Sequence, residues 1–277
     1  MIYPAGNDLH LTRRETLRTV GAAAVLAVGS GLTGTAQAAM SAELNRARVL
    51  VVGGSSGIGL AIAAAAAEAG AAVTIASRSQ TKLESAVNAL GKTARAVALD
   101  TGDVAAVERF FADEAPWDHI VVSAAQTPSG PVRGLSLADA KIAMESKFWG
   151  AYRVARAAKI HEGGSLTFVS GFLSVRPSAN SVLQGAINAA LEALARGLAL
   201  ELAPVRVNAV SPGLIATPLW SGMPNDKREA MFASAAQRLP ARRVGQPEDI
   251  ANAVMFLVKT PFATGSTVRV DGGGAIA

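Results

Sequence analysis

The sequence predicts an α/β fold, a single doubly wound parallel sheet with helices on both faces. Three observations predict it. Short apolar runs alternate with longer helical patterns along most of the chain, and the first run opens through a glycine turn into an alanine-rich helix, VLVVGGSSGIGLAIAAA from Val49 to Ala65. Half of the 277 residues are hydrophobic but only 5% are aromatic, the balance of a core built from small residues and strands. Strands buried on both faces read as continuous apolar runs, and parallel neighbours need helical crossovers.

Taken in order, Val49 to Val52 is a buried strand, and Gly53, Gly57 and Gly59 form a GxxxGxG turn leading into a helix from Ile58 to Ala69, closed by Gly70. Further strands are expected at Ala72 to Ala76, Ala94 to Leu99, Ile120 to Ser123, Ser165 to Val169, Val205 to Val210 and Thr267 to Val270. Helical patterns fall at Thr81 to Leu90, Val104 to Ala112, Leu137 to Ala158, Asn180 to Ala203 and Glu248 to Lys259. The least regular stretch, Ser211 to Arg243, holds Pro212, Pro218, Pro224 and Pro240. An insertion after a late strand lies over the carboxyl ends of the sheet, where ligands bind, so this segment is the expected lid. There is no internal repeat or linker, and residues 39–277 read as one domain.

The glycine turn is the first candidate site. Bare backbone at Gly53, Ser55, Ser56, Gly57, Ile58 and Gly59 approaches a pyrophosphate closely, and the N–H groups of the following helix point at it. The expected ligand is a dinucleotide; a tight turn without a ligand is the alternative. The flanking strands and helix supply the context that such a motif requires.

Residues 1–38 read differently. TRRETLR at 12–18 carries the pair Arg13-Arg14, Thr19 to Thr33 is uncharged and apolar, and Ala36-Gln37-Ala38 fits a signal-peptidase site. This order is that of a twin-arginine export signal, removed to leave the mature chain in the periplasm or outside the cell. The run is short for a membrane span. An uncleaved anchor, or an extension from a misplaced start codon, are the alternatives, and the latter leaves the protein in the cytoplasm.

The formal charge of +5 falls to about +4 once the three arginines and two acids of residues 1–38 are left out. The remaining basic residues are dispersed, which argues against a nucleic-acid surface. With no cysteine, disulfide and thiolate chemistry are excluded. His10, His119 and His161 have no ligand spacing, so no metal site is expected and surface positions are expected for all three.

GGSSGIG at 53–59, Asp100 in LDTGD, LALELAPVRVNAVSPG from Leu198 to Gly213, RRVGQPEDIA at 242–251 and VDGG at 270–273 follow one another in a specific order. In this they resemble the short-chain dehydrogenase/reductase family over nearly all of residues 46–277. The resemblance implies a seven-stranded Rossmann-type sheet, a nicotinamide cofactor and a homodimer or homotetramer built on the two long helices. It also implies that Pro212, Gly213 and Thr217 lie by the nicotinamide and that Asp100 contacts the adenine. Cofactor choice follows from charge. An acid some 20 residues past the glycines would bind a ribose 2′-hydroxyl and repel a 2′-phosphate. Here the second strand ends in Ala76-Ser77-Arg78-Ser79 without an acid, so Ser77 and Arg78 favour NADP, with NAD the alternative.

The expected catalytic centre departs from the family. Its members carry Tyr-x-x-x-Lys on the long helix, a serine about 13 residues earlier and an asparagine on the preceding helix. Alignment through NAALEAL and VNAVSPG puts Gln184 at the tyrosine position, Asn188 at the lysine position, Gly171 at the serine position beside Ser170, and Lys147 at the asparagine position. Amides do not donate protons as acids. Tyr152 sits about 140° around the helix from Lys147. Lys147 is therefore the candidate acid or base, grouped with Gln184, Asn188 and Ser170; a lysine reaching solvent, or one that only fixes the two amides, is the alternative. Ser170, Ser174, Ser178 and Ser181 could orient a substrate oxygen, with a structural role the alternative for each. Two functions fit: an NADP-dependent oxidoreductase acting on a carbonyl or hydroxyl of a small molecule through a rearranged proton relay, or an inactive relative that binds the dinucleotide as a sensor or interaction module. Phe172, Trp149, Trp220 and Met223 would wall a substrate pocket, with core or interface positions, the more common fate of aromatics, as the alternative.

Overall fold

The computed structural model describes residues 44–91 and 93–277; the export signal read at 1–38, with Arg13, Arg14 and His10, lies outside them. Seven strands, β1 (Arg48–Val52), β2 (Ala72–Ser77), β3 (Arg95–Ala98), β4 (Trp117–Val122), β5 (Ile160–Val169), β6 (Arg206–Pro212) and β7 (Thr267–Val270), form one sheet in the order β3-β2-β1-β4-β5-β6-β7. Every pairing is parallel. Helices α1 (Gly57–Glu68), α2 (Gln80–Leu90), α3 (Val104–Asp113), α4 (Leu137–Ala143), α5 (Gly150–Ala157), α6 (Val182–Glu201), α7 (Asn225–Arg238) and α8 (Pro247–Lys259) connect them.

The first strand shows why its run is continuous. Val49 and Val51 point into a layer formed with Ile62 of α1, Leu83 of α2 and Ile250 and Val254 of α8. Leu50 and Val52 point into the opposite layer, with Val107 and Phe111 of α3, Val154 of α5 and Leu191 and Leu198 of α6. Full burial of one such side chain stabilises the fold by about 1.5–3 kcal/mol, so both faces select for apolar residues. Strand order reverses between β1 and β4, which opens the crevice where such sheets bind ligands.

Four expectations need correction. The helix read as Leu137 to Ala158 is interrupted by a π-helical turn, Met144–Trp149, between α4 and α5. The fourth strand begins at Trp117, inside a polar stretch that hid it: Trp117 is buried, stacks on Phe110 and lies under the Arg48 guanidinium, 4.3 Å from the ring centre. The lid is not wholly irregular, because it holds a 3₁₀ turn, Pro218–Trp220, and α7, a helix with only Ala235 buried and hence no apolar stripe to read. Finally, His119 is buried rather than on the surface. Its Nδ1 lies 2.9 Å from Ser165 Oγ, and burial, aided by the nearby Arg206 charge, pushes its pKa down to about 4. His161 is exposed.

Candidate active site

A cleft of about 1990 Å³ runs along the carboxyl ends of the strands. That exceeds an ordinary small-molecule pocket, 300–1,000 Å³, and leaves room for a dinucleotide and a substrate together.

Its first half is built from backbone. Gly53 takes φ +86°, and a Cβ there would lie 2.5 Å from the Ala124 amide nitrogen, so the turn after β1 and the loop after β4 meet at the switch point. Gly59 lies in the first turn of α1, and its Cβ would lie 2.1 Å from the Gly53 carbonyl oxygen. It does not line the cleft; it lets the helix seat against the turn, so that Gly53, Ser55, Ser56, Gly57 and Ile58 do line it. Gly57 faces Thr217 across the mouth, 3.4 Å from where its Cβ would stand, and a side chain there would fill the space a diphosphate needs. The donor set and the open turn fit a dinucleotide.

At the end of β2, Ser77 Oγ accepts from Ser55 Oγ at 2.9 Å, and the exposed Arg78 donates to Gln126 Oε1 at 3.1 Å. Lys82, on the first turn of α2, lines the same part of the cleft. Sequence reasoning missed it; its spacing from Arg78, one turn into the next helix, was the available signal. Asp100 also lines the cleft and accepts from the Gly102 N–H through Oδ1 (2.9 Å), while Pro212, Gly213 and Thr217 close the opposite side.

The second half is built from side chains. The π-turn brings Lys147 into the cleft, where Nζ donates to the Ser170 carbonyl and to Asn188 Oδ1, both at 2.7 Å. Burial pushes the ammonium down to about 8, against the opposing pull of Glu192. A Cβ on Gly171 would lie 2.7 Å from Asn188 Nδ2, so the glycine makes room for the amide that receives Lys147. Thus Lys147, Asn188 and the Ser170 backbone come together. Gln184 does not join them: its Nε2 donates to Thr127 Oγ1 at 2.7 Å. Nor is the Ser170 hydroxyl aimed at the cleft. It is buried and donates to Glu192 Oε1 at 2.9 Å, with the Val210 carbonyl 3.2 Å away. Ser174 Oγ donates to the same Glu192 oxygen at 2.7 Å. Glu192 is a second residue missed from sequence; it continues the i, i+4 row of Gln184 and Asn188 along α6.

Tyr152 does not line the cleft; it packs edge-on against Trp149. Phe172, Trp149 and Trp220 do line it, with Leu214, Leu219 and Met231, whereas Met223 does not. Among the described residues no group of three or more acidic or histidine side chains could hold a metal ion, and no helix is long and apolar enough to cross a membrane.

The family model described as enoyl-(acyl carrier protein) reductase matches residues 52–274. The short-chain dehydrogenase/reductase ATR9 of Stachybotrys chlorohalonatus is 33% identical over 245 residues, covering 81% of this chain and 95% of its own. A small-chain dehydrogenase solved in complex with NADPH is 36% identical, with a TM-score of 0.73, over 84% of this chain and all of that one. The L-sorbose reductase of Gluconobacter frateurii, solved with NADPH and L-sorbose, is 26% identical, with a TM-score of 0.77, over 86% of this chain and all of its own.

Proposed function

We infer that this chain, which belongs to the short-chain dehydrogenase/reductase family, reduces a carbonyl of a small molecule, or oxidises the matching alcohol, with an ammonium in place of the usual phenol. It is an NADP-dependent oxidoreductase, in line with NADPH in two solved relatives. Gly53, Ser55, Ser56, Gly57 and Ile58 would hold the diphosphate, Arg78 and Lys82 a 2′-phosphate, and Pro212, Gly213 and Thr217 the nicotinamide end. When bound, the cofactor supplies or accepts a hydride.

The chain's own residues handle the proton. One observation carries the reading: Lys147 is turned inward, with two N–H groups committed to Ser170 O and Asn188 Oδ1. An ammonium has three donors. The third has no partner among the described residues, and the side chain lines the cleft. Reduction leaves an alkoxide that must be protonated, and an acid whose pKa is near the working pH serves best. Held near 8, Lys147 is mostly protonated at neutral pH and still able to release the proton. Gln184 and Asn188 orient; they do not donate protons as acids.

The test is Lys147→Met assayed against a panel of ketones. Carbonyl reduction should fall by about 10²–10⁴, the usual contribution of a placed acid, while NADPH affinity, read by fluorescence titration, stays within about threefold, since Lys147 touches neither the glycine turn nor Arg78. The wild-type reduction rate should be flat below about pH 7 and fall as pH rises through about 8, because deprotonation removes the acid. Activity that survives the substitution refutes the reading. Tight NADPH binding with no turnover in the wild type supports the alternative, a dinucleotide-binding sensor or interaction module, which the two amides at 184 and 188 favour.

Export is part of the proposal. The Arg13-Arg14 pair, the apolar run and Ala36-Gln37-Ala38 support a twin-arginine leader that delivers residues 39–277, folded around the cofactor, to the periplasm or the exterior. Replacing both arginines with lysine should hold the precursor in the cytoplasm; normal processed protein outside it, by immunoblot of fractions, counts against the leader. Exposed Trp149 and Tyr152, 42% and 41% accessible, support a homo-oligomer.

A further inference from the structure

Behind the cleft lies a buried carboxylate that the proposed chemistry does not use. Glu192 is 8% exposed and does not line the cleft. Both Ser170 and Ser174 donate their hydroxyls to its Oε1, at 2.9 and 2.7 Å. Ser174 closes the 3₁₀ turn Phe172–Ser174 and Ser170 lies two residues before it, next to Gly171, the residue whose missing side chain admits Asn188. The carbonyl of the same Ser170 receives the Lys147 ammonium.

We propose that Glu192 is a positioning residue: by clamping Ser170 and Ser174 it fixes the backbone on which Lys147 docks, and it sets a buried carboxylate behind the ammonium's seat. The inference rests on the reading of Lys147 as the proton-holding group. Three features of the geometry support it. One carboxylate oxygen gathers two hydroxyls, one from the end of the short turn and one from just before it, which holds that turn as a unit. Asn188, the second acceptor for Lys147, is four residues before Glu192 on α6, so both of the ammonium's supports stand on one helix face. A buried carboxylate without a cation nearby is costly, and Lys147 is the cation across Ser170.

Of the charged groups on elements packed around Lys147, Glu192 on α6 is the one whose field reaches it appreciably. Glu145, on the same π-turn, is paired with Arg153. The neighbouring positions on the strand ends, Ser170, Gly171 and Ser211, are uncharged. Removing the Glu192 charge therefore has a definite sign: it takes away the contribution that raises the Lys147 pKa and leaves burial unopposed.

The experiment follows the Lys147 Cε resonance in the full-length chain with ¹³C-labelled lysine, assigned by its loss in Lys147→Met. Glu192→Gln keeps the shape and removes the charge; its titration midpoint should fall, by about one pH unit, because the opposing carboxylate is lost and burial remains. Glu192→Asp keeps the charge and shortens the arm; its midpoint should stay close to the wild-type one. The alkaline limb of the kcat profile should move with the resonance, while NADPH affinity holds within about twofold. If Glu192→Gln yields no folded protein, Ser174→Ala removes one clamp and should move the midpoint in the same direction by less. A midpoint unmoved in the Gln variant, or in Ser174→Ala where that variant is used, overturns the proposal. So does one moved as far by Asp as by Gln, since a packing role would answer to shape. The two readings separate cleanly. Should Lys147→Met keep full activity while Glu192→Gln still moves the resonance, the positioning role stands and the proposed proton donor falls.

Discussion

The two ends of the cleft are built from different materials. Around the turn after β1 the site is backbone: glycines at 53, 57 and 59, the amides of α1 and the loop after β4 at Ala124. Between β5 and α6 it is side chain: Lys147 on Asn188 and Ser170, with Glu192 behind. A backbone site tolerates almost no change, because one added carbon meets main chain that cannot move. A side-chain site can be rewired if a group lost from one element is supplied by another. That is the arrangement here: the helix position expected to carry a lysine carries Asn188, and the position expected to carry an amide carries Lys147, its ammonium resting on that same Asn188. The ammonium stands on one helix and its amide acceptor on another.

The largest effect should come from breaking the backbone end. In Gly59→Ala the new methyl would stand 2.1 Å from the Gly53 oxygen. Overpacking against main chain costs about 3 kcal/mol at the upper end of its usual range, which in a domain of this size lowers Tm by roughly 6–12 °C. NADPH binding should fail along with stability, because α1 can make room only by leaving the turn. A melting curve and a cofactor titration measure both, and a variant with wild-type Tm and affinity would show that the helix is not seated as described.

At the side-chain end the comparison predicts exchangeability. Asn188→Lys alone removes one of the two acceptors of Lys147 and brings a second ammonium against it in a buried site, which should destabilise the protein by about 2 kcal/mol. Adding Lys147→Asn reverses the exchange between the two helices and should recover at least half of that loss. A double-mutant cycle in urea measures the coupling, expected at about 1 kcal/mol or more for residues in direct contact. Additive losses would mean that the two positions do not share one ammonium site. The exchange also bears on restoring a phenol: Gln184→Tyr with Asn188→Lys is not a complete reversion while Lys147 remains.

How much of this was legible follows the same division. The strands, the glycine turn and its helix were readable because burial on two faces and backbone approach leave local marks: unbroken apolar runs and glycines at fixed spacing. Arg78 was readable as the absence of an acid at the end of β2. What escaped depends on contacts distant in sequence. Trp117 starts β4 inside a polar stretch because Phe110 and Arg48 cover it. His119 is buried because Ser165 of β5 stands opposite. The π-turn that turns Lys147 inward leaves no periodic signature, since one inserted residue only shifts the phase of an already mixed helix. Glu192 is buried by Ser170 and Ser174, which lie 22 and 18 residues before it, and so its own helix carries no local mark of that role. Alignment could place Lys147 and Asn188 at exchanged positions, but not show that one holds the other.

The smallest effect returns to the first end, where one side chain is added to a backbone site. Among the described residues Arg78 donates only to Gln126, and it is exposed, so its charge is screened by solvent and a phosphate contact there belongs at the low end for a charge-assisted hydrogen bond. Arg78→Ala should weaken NADPH about tenfold, or about 1.4 kcal/mol, and should move NADH less than twofold, because only the 2′-phosphate distinguishes the two ligands. Lys82 lines the same corner and remains in the variant, so NADPH should still bind at least as tightly as NADH. Adding Lys82→Ala should then remove the remaining preference. Titrating both cofactors against the single and double variants, at low salt and again at high salt, separates the possible roles of Arg78. A preference that shrinks with salt in the wild type and is absent from the double variant marks charge recognition by exposed cations. Equal losses for NADPH and NADH would mean that Arg78 acts through Gln126, holding the loop after β4. The first end would then also be a side-chain site, and the contrast between the two ends would not hold.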